Sequence, residues 1–368
     1  MKNYLNFESE VKELEAELEI LKDPFNKEGI SEVNTSKILS FEDKINKKLE
    51  KIYSNLNAWQ KTQVARHEDR PKAKYFIENL FDDFISLSGD RFYGEDKSVI
   101  AGFAKFNEKS VLVVGQEKGE NLDERLDRNF GMMRPEGYRK SIRLMKLANK
   151  FNIPIITFID TPGAYPGVGA EERGQAEAIA RSIEACIKLK VPNISIIIGE
   201  GGSGGAIALA SASKVIMLEN AIYSVISPEG CATILWRDPK KTLEAAEAMR
   251  LTSKELFKLK IIDEIIDEPL GGAHRDREKT LENVRDSIKK NLEYFENFSD
   301  DEIVSGRMNK FLQIGRGGGF SNKTDTSTNL SFKKNNINSL IEEFLKKKIF
   351  YISILAAIGI IIAFIFFL

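Results

Sequence analysis

Residues 193–211 read NISIIIGEGGSGGAIALAS, and this passage decides the fold class. The nearly continuous apolar run at 193–199 is the pattern of a strand covered on both faces of its sheet. It gives way through Gly199, Glu200, Gly201 and Gly202 to an Ala-rich segment of helical character beginning near Ser203. A buried strand, a glycine turn and a helix in that order mark an α/β protein. Working outward, SVIAGFAKF (98–106), SVLVVGQ (110–116), IPIITFI (153–159), KVIMLE (214–219) and IIDEII (261–266) are further short apolar runs. Between them, Pro135-Glu136 opens a helix at proline's favoured first position, and 170–190 carries one long helical pattern closed by Val191-Pro192. The stretch from Trp59 to about Glu268 is therefore expected to be a core of β-β-α units.

The flanks differ in texture. Phe7, Val11, Leu14, Leu18 and Leu21 repeat at four-three spacing, and Ile38, Phe41, Ile45, Leu49 and Ile52 nearly repeat it after Pro24 and Gly29. This predicts a helical hairpin over 1–56, either a partner-binding coiled coil or a cap on its own domain. The main domain is expected at 57–295 and a helical element at 296–320. Residues 321–348 are rich in Gly, Ser, Thr and Asn and read as a flexible linker. Lys346 to Lys348 then precede IFYISILAAIGIIIAFIFFL (349–368), an uncharged run long enough to span a bilayer core, which predicts a C-terminal transmembrane helix.

Composition narrows the function. A 368-residue chain that is 42% hydrophobic can bury a substantial core, which excludes disorder for most of it. With 54 basic against 55 acidic residues, no net field draws it onto nucleic acid. Cys186 and Cys231 are far apart and neither lies in a CxxC pair, so a zinc knuckle or disulfide framework has no basis and no metal site is expected. The opening MKNYLNFESE lacks the apolar region of a secretory signal, which points to the cytoplasm, with the terminal run as an inner-membrane anchor. The only histidines, His67 and His274, show neither triad nor metal spacing, which argues against a hydrolase. His67 reads as a capping residue and Cys231 as a small buried side chain.

Two glycine-rich loops follow expected strands, where α/β proteins usually bind ligands. The first, Asp160-Thr161-Pro162-Gly163-Ala164-Tyr165-Pro166-Gly167, is stiffened by two prolines and opened by two glycines. The second, Gly199 to Ala206, can turn several N–H groups toward one point at a helix N-terminus, the chemistry of an oxyanion site. Residues 199–204 also read GxGxxG, with the acid Glu219 some 20 positions on, so an NAD-dependent oxidoreductase is the alternative. DTPG at 160–163 imitates a GTPase loop, but no GxxxxGK[ST] accompanies it. A noncatalytic membrane-tethered scaffold leaves both loops unexplained. Among Arg128, Arg134, Arg139, Lys140 and Arg143, Arg134 is the one on a loop and is a candidate ligand or partner contact.

RNFGMMRPEGYRK (128–140), TFIDTPGAYPGVGAEERGQAEAIAR (157–181), IIGEGGSGGAIAL (197–209), MLENAIYSVISPEGCATILW (217–236) and DEPLGGAHRD (267–276) together closely resemble the carboxyltransferase α subunit of bacterial multisubunit acetyl-CoA carboxylase. The resemblance runs from the hairpin to about Arg316; HEDRP (67–71) departs from the family's expected proline after the histidine, and the tail after Arg316 departs altogether. It implies a crotonase-like (ClpP/crotonase) fold and transfer of the carboxyl group of carboxybiotin to acetyl-CoA, forming malonyl-CoA, the first committed step of fatty acid synthesis. The implied partners are a zinc-bearing β subunit that binds acetyl-CoA, the biotin carboxyl carrier protein and biotin carboxylase, around an α2β2 core. The implied site gives the ureido oxyanion the N–H groups of Gly205 and Ala206, with Gly204 permitting the turn. It places Gly163, Ala164, Tyr165, Pro166, Gly201 and Gly202 against the carboxybiotin.

Overall fold

In the computed structural model, which describes residues 3–22 and 35–316, one eight-stranded sheet runs β1-β2-β3-β4-β5-β6-β8, with β7 paired to β5 off that path. The strands are β1 Asp82–Ser86, β2 Val99–Phe106, β3 Lys109–Gln116, β4 Ile155–Thr161, β5 Asn193–Gly202, β6 Lys214–Leu218, β7 Ile222–Ser224 and β8 Glu264–Ile266. The first three are antiparallel, and β2 turns into β3 through Asn107 and Glu108, both at positive φ, the conformation a two-residue hairpin needs. From β3 onward every pairing is parallel. All seven residues of β4 and all ten of β5 are buried, which accounts for their isoleucine-rich, non-alternating sequence.

Pro135 starts the helix Pro135–Lys150, which packs against Gln175–Lys188. The single helix expected over 170–190 is two, because Gly174 takes a left-handed φ of 81° between Val168–Glu172 and Gln175–Lys188. Two strands escaped the sequence reading. β1 is a mostly exposed edge strand with two aspartates, and β7 is three residues long.

The helices Ser9–Lys22 and Thr35–Tyr53 meet through Val11, Ile45 and Leu49, with Leu14, Leu18, Ile52 and Tyr53 around them. Of the two readings left open for this hairpin, the described contacts are those of a cap. Arg275 pairs with Glu8 at 3.1 Å and Glu15 at 2.7 Å, and His67 Nε2 lies 3.0 Å from the Asn3 carbonyl. At the other end, the helix Asp300–Gln313 is docked by Arg307, only 2% exposed. Its guanidinium donates to the carbonyls of Ile187, Leu189 and Val191 and to Ser213 Oγ, with no carboxylate among these partners. Residues up to Ile314 form one compact unit.

The expected membrane helix is corrected. Among the described residues no helix is long and apolar enough to cross a membrane. Even the longest, Thr35–Tyr53 and Arg277–Tyr294, carry charged residues along their length. The run 349–368 lies outside the described residues, as does the linker at 321–348. Among the described residues the architecture is therefore α/β without a transmembrane element, and the inner-membrane anchoring is withdrawn.

Candidate active site

β4 and β5 are neighbours and parallel, so the loops that follow them leave the same edge of the sheet. They touch backbone to backbone. A Cβ on Gly202 would overlap the Pro162 carbonyl, and one on Gly205 would come within 2.5 Å of the Gly163 carbonyl carbon and 2.9 Å of the Ala164 nitrogen. Only glycine fits at either position. A Cβ on Gly163 would meet only Ser203 Cβ, in ordinary contact at 3.9 Å.

Side chains lock the first loop. Thr161 Oγ1 donates to the Gly163 carbonyl at 2.7 Å and accepts from the Gly163 N–H at 3.2 Å. Tyr165 N–H donates to the Met133 carbonyl, and Gln175 Nε2 donates to the carbonyls of both Met133 and Tyr165. Arg134 lies with its guanidinium 4.6 Å from the Tyr165 ring centre, so the structure joins this arginine to the first loop. The rest of that basic cluster is spent elsewhere. Arg139 pairs with Asp90 at 2.7 Å, Lys140 is buried against the Val99 carbonyl and Glu95, Arg128 donates to the Lys97 carbonyl, and Arg143 donates to the carbonyls of Ser88 and Gly89.

The second loop enters the eight-residue helix Ser203–Ala210 through Ser203, held at a φ of 51°. That conformation is uncommon outside glycine and is held only where the surroundings enforce it. Gln116 Nε2 donates to the Gly205 carbonyl at 2.8 Å. Gly201 has Tyr223 behind it, 2.9 Å from where a Cβ would sit. Ser203 and Gly204 are half-exposed at the first two helical positions, while Gly205 and Ala206 are buried behind them. Gly163 is buried, Ala164 and Tyr165 are half-buried and Pro166 is exposed. The two loops and Arg134 are thus brought together, loop on loop and Arg134 on Tyr165.

Beneath the loops is a charge network the sequence did not disclose. Lys118 Nζ sits 2.8 Å from Asp160 Oδ1 and 2.7 Å from Glu200 Oε2. Glu200 Oε1 meets Arg66 Nε at 2.6 Å, and Arg66 reaches Glu229 at 2.5 Å. Burial alone would raise the Glu200 carboxyl, but Lys118 and Arg66 outweigh it and hold the group down at about 2. Burial also opposes the charge on Lys118, and Asp160 and Glu200 overcome it. A usable hint was present: both carboxylates stand at or within the loops themselves, Asp160 before Pro162 and Glu200 inside the glycine run.

The remaining candidates fall elsewhere. Cys231 is a free, buried thiol packed among Ala232, Ala245, Ile226, Trp236 and Met249. His67 and His274 stack on one another, ring centres 3.8 Å apart, beside the N-terminal cap. The dinucleotide reading of 199–204 finds no support: the helix after the glycines, Ser203–Ala210, is only eight residues long. Glu219 is turned to Lys254 at 3.4 Å.

Residues 4–315 match the family model described as acetyl co-enzyme A carboxylase carboxyltransferase-like. The acetyl-coenzyme A carboxylase carboxyl transferase subunit alpha of Pelagibacter ubique (strain HTCC1062) is 70% identical over 349 residues, 95% of each chain. Since only 316 positions lie up to Arg316, that similarity extends into the tail. The subunit alpha of Gluconacetobacter diazotrophicus is 53% identical over 316 residues, covering 86% of this chain and 99% of that one. Among solved structures, transcarboxylase 12S with methylmalonyl-coenzyme A and methylmalonic acid bound superposes with a TM-score of 0.52 at 20% identity, over 63% of this chain and 42% of that one, a likeness of fold. The chain belongs to the acetyl-CoA carboxylase carboxyltransferase α-subunit family.

Proposed function

We propose that loops 160–167 and 199–206 form the carboxybiotin half of a carboxyl-transfer site completed by a β subunit. The supporting observation is the close backbone packing of Gly202 on Pro162 and of Gly205 on Gly163 and Ala164, beside a helix N-terminus. Such packing presents N–H groups and the helix dipole at a surface cleared of side chains, suited to holding negative charge on a flat ligand. Carboxybiotin, carried on a partner protein, supplies the carboxyl group and a ureido oxygen that gains charge as that group leaves. This chain supplies preformed donors, the N–H groups of Gly205 and Ala206, with Ser203 and Gly204 at the mouth. Gly163, Ala164, Tyr165, Pro166, Gly201 and Gly202 flank the bicyclic ring, and Arg134 on Tyr165 adds a cation at its edge.

Acetyl-CoA and a zinc-bearing β subunit complete the reaction in this reading, in an α2β2 core served by the biotin carboxyl carrier protein and biotin carboxylase. The segments 1–56, 57–295 and 296–320 are offered as cap, carboxyltransferase domain and docking helix. The test is co-purification with the β subunit followed by a malonyl-CoA assay. Gly205→Val, whose side chain would enter the Gly163 backbone, is expected to lose on the order of 100-fold or more in transfer rate. Wild-type transfer by a folded αβ assembly carrying that change sinks the assignment.

A further inference from the structure

The two loops are held at a particular offset. β4 and β5 pair in step as far as Ile159 opposite Ile197, but Thr161 then faces Gly201, so Asp160 stands against three residues, Ile198, Gly199 and Glu200. This is a β-bulge, and its backbone needs partners outside the ladder. The Glu200 N–H finds one in Asp160 Oδ1 at 2.9 Å, and Gly199 is the residue that fits there, since a Cβ would lie 2.5 Å from the same oxygen. Just past this bulge, Gly202 packs on Pro162. Lys118, two residues past β3, meets both carboxylates with one nitrogen, at 2.8 Å and 2.7 Å. The Asp160 and Glu200 side chains are only 3% and 9% exposed. Without a cation between them, two buried carboxylates would repel across the bulge.

We infer that Lys118 is a positioning residue that fixes the offset between the two glycine loops and so sets the fit of carboxybiotin, an inference resting on the assignment of those loops to that ligand. It touches no ligand itself and acts through Asp160 and Glu200. The other charged groups near the pair are Arg66, which links Glu200 to Glu229, and Lys72 and Glu117.

The test uses the purified αβ assembly and carboxyl transfer between malonyl-CoA and free biotin. A wild-type assembly that does not transfer at all counts against the proposed function and not against Lys118. Lys118→Met is expected to lower kcat/KM for biotin by roughly 100-fold, the scale of a misplacement of about 1 Å, while KM for malonyl-CoA stays put. Lys118→Met/Asp160→Asn removes one of the two charges but not the lost bridge. It should recover all but about tenfold of the loss. An unchanged KM and kcat for biotin in Lys118→Met overturns the inference, as does an equal rise in both KM values. If Lys118→Met does not assemble, the double variant decides, since a wild-type KM for biotin there overturns the inference equally.

Discussion

Lys118 and Arg307 are two of the cations held within the described fold, and they are satisfied in opposite ways. Lys118 stands between two carboxylates that drive its pKa up against the pull of burial. Arg307 has only carbonyls and a hydroxyl around it, and burial draws its pKa down to about 10, still charged at neutral pH. A lysine presents one compact charge that two anions can share, whereas a guanidinium spreads five donors over several neutral acceptors. The first arrangement adjusts the spacing of two strand ends beside the candidate site, and the second fastens a peripheral helix. Burial of a charge therefore does not by itself mark a functional group; the chemistry of its partners does.

The contrast can be broken most forcefully at Arg307. Arg307→Met leaves three buried carbonyls and Ser213 Oγ without that donor, so stability should fall by at least ~3 kcal/mol in denaturant unfolding. Carboxyl transfer by the folded fraction should not change, and a kinetic defect there would erase the distinction. A pH experiment sharpens the other half. Glu200 is held at about 2 in the fold against 4.5 as its ordinary value. Its depressed pKa contributes stability that is complete above about pH 4.5 and drains away as pH falls toward 2. Glu200→Gln, followed by acid unfolding, should flatten the stability profile within that window, and an unaltered profile shows that the ion pairs carry no weight. The smallest effect is expected at Arg134, where Arg134→Ala removes a cation stacked on Tyr165 and should raise KM for biotin about threefold.

Much of the fold could be read from the chain because its central strands are buried on both faces and so spell out continuous apolar runs. β4 and β5 were visible for that reason, whereas β1, written DDFIS and mostly exposed, looks like a loop. The break at Gly174 was hidden because the flanking residues keep helical periodicity across it. The glycine loops announced themselves by composition, and their mutual contact followed from adjacent parallel strands. Lys118 could not be found in this way, since a lysine within GQEKGE reads as solvated and its partners lie more than forty positions on. The stacking of His67 on His274 was equally out of reach, as nothing local links residues so far apart. The membrane reading of 349–368 rested on length and hydropathy alone, and no helix among the described residues supports it.

The cap at the amino end has a consequence for biogenesis. Glu8 and Glu15 leave the ribosome well before their partner Arg275, which follows 267 and 260 positions later. At ordinary rates of translation that interval is on the order of tens of seconds. Throughout it the two glutamates lack that guanidinium, so a segment made early is fastened late.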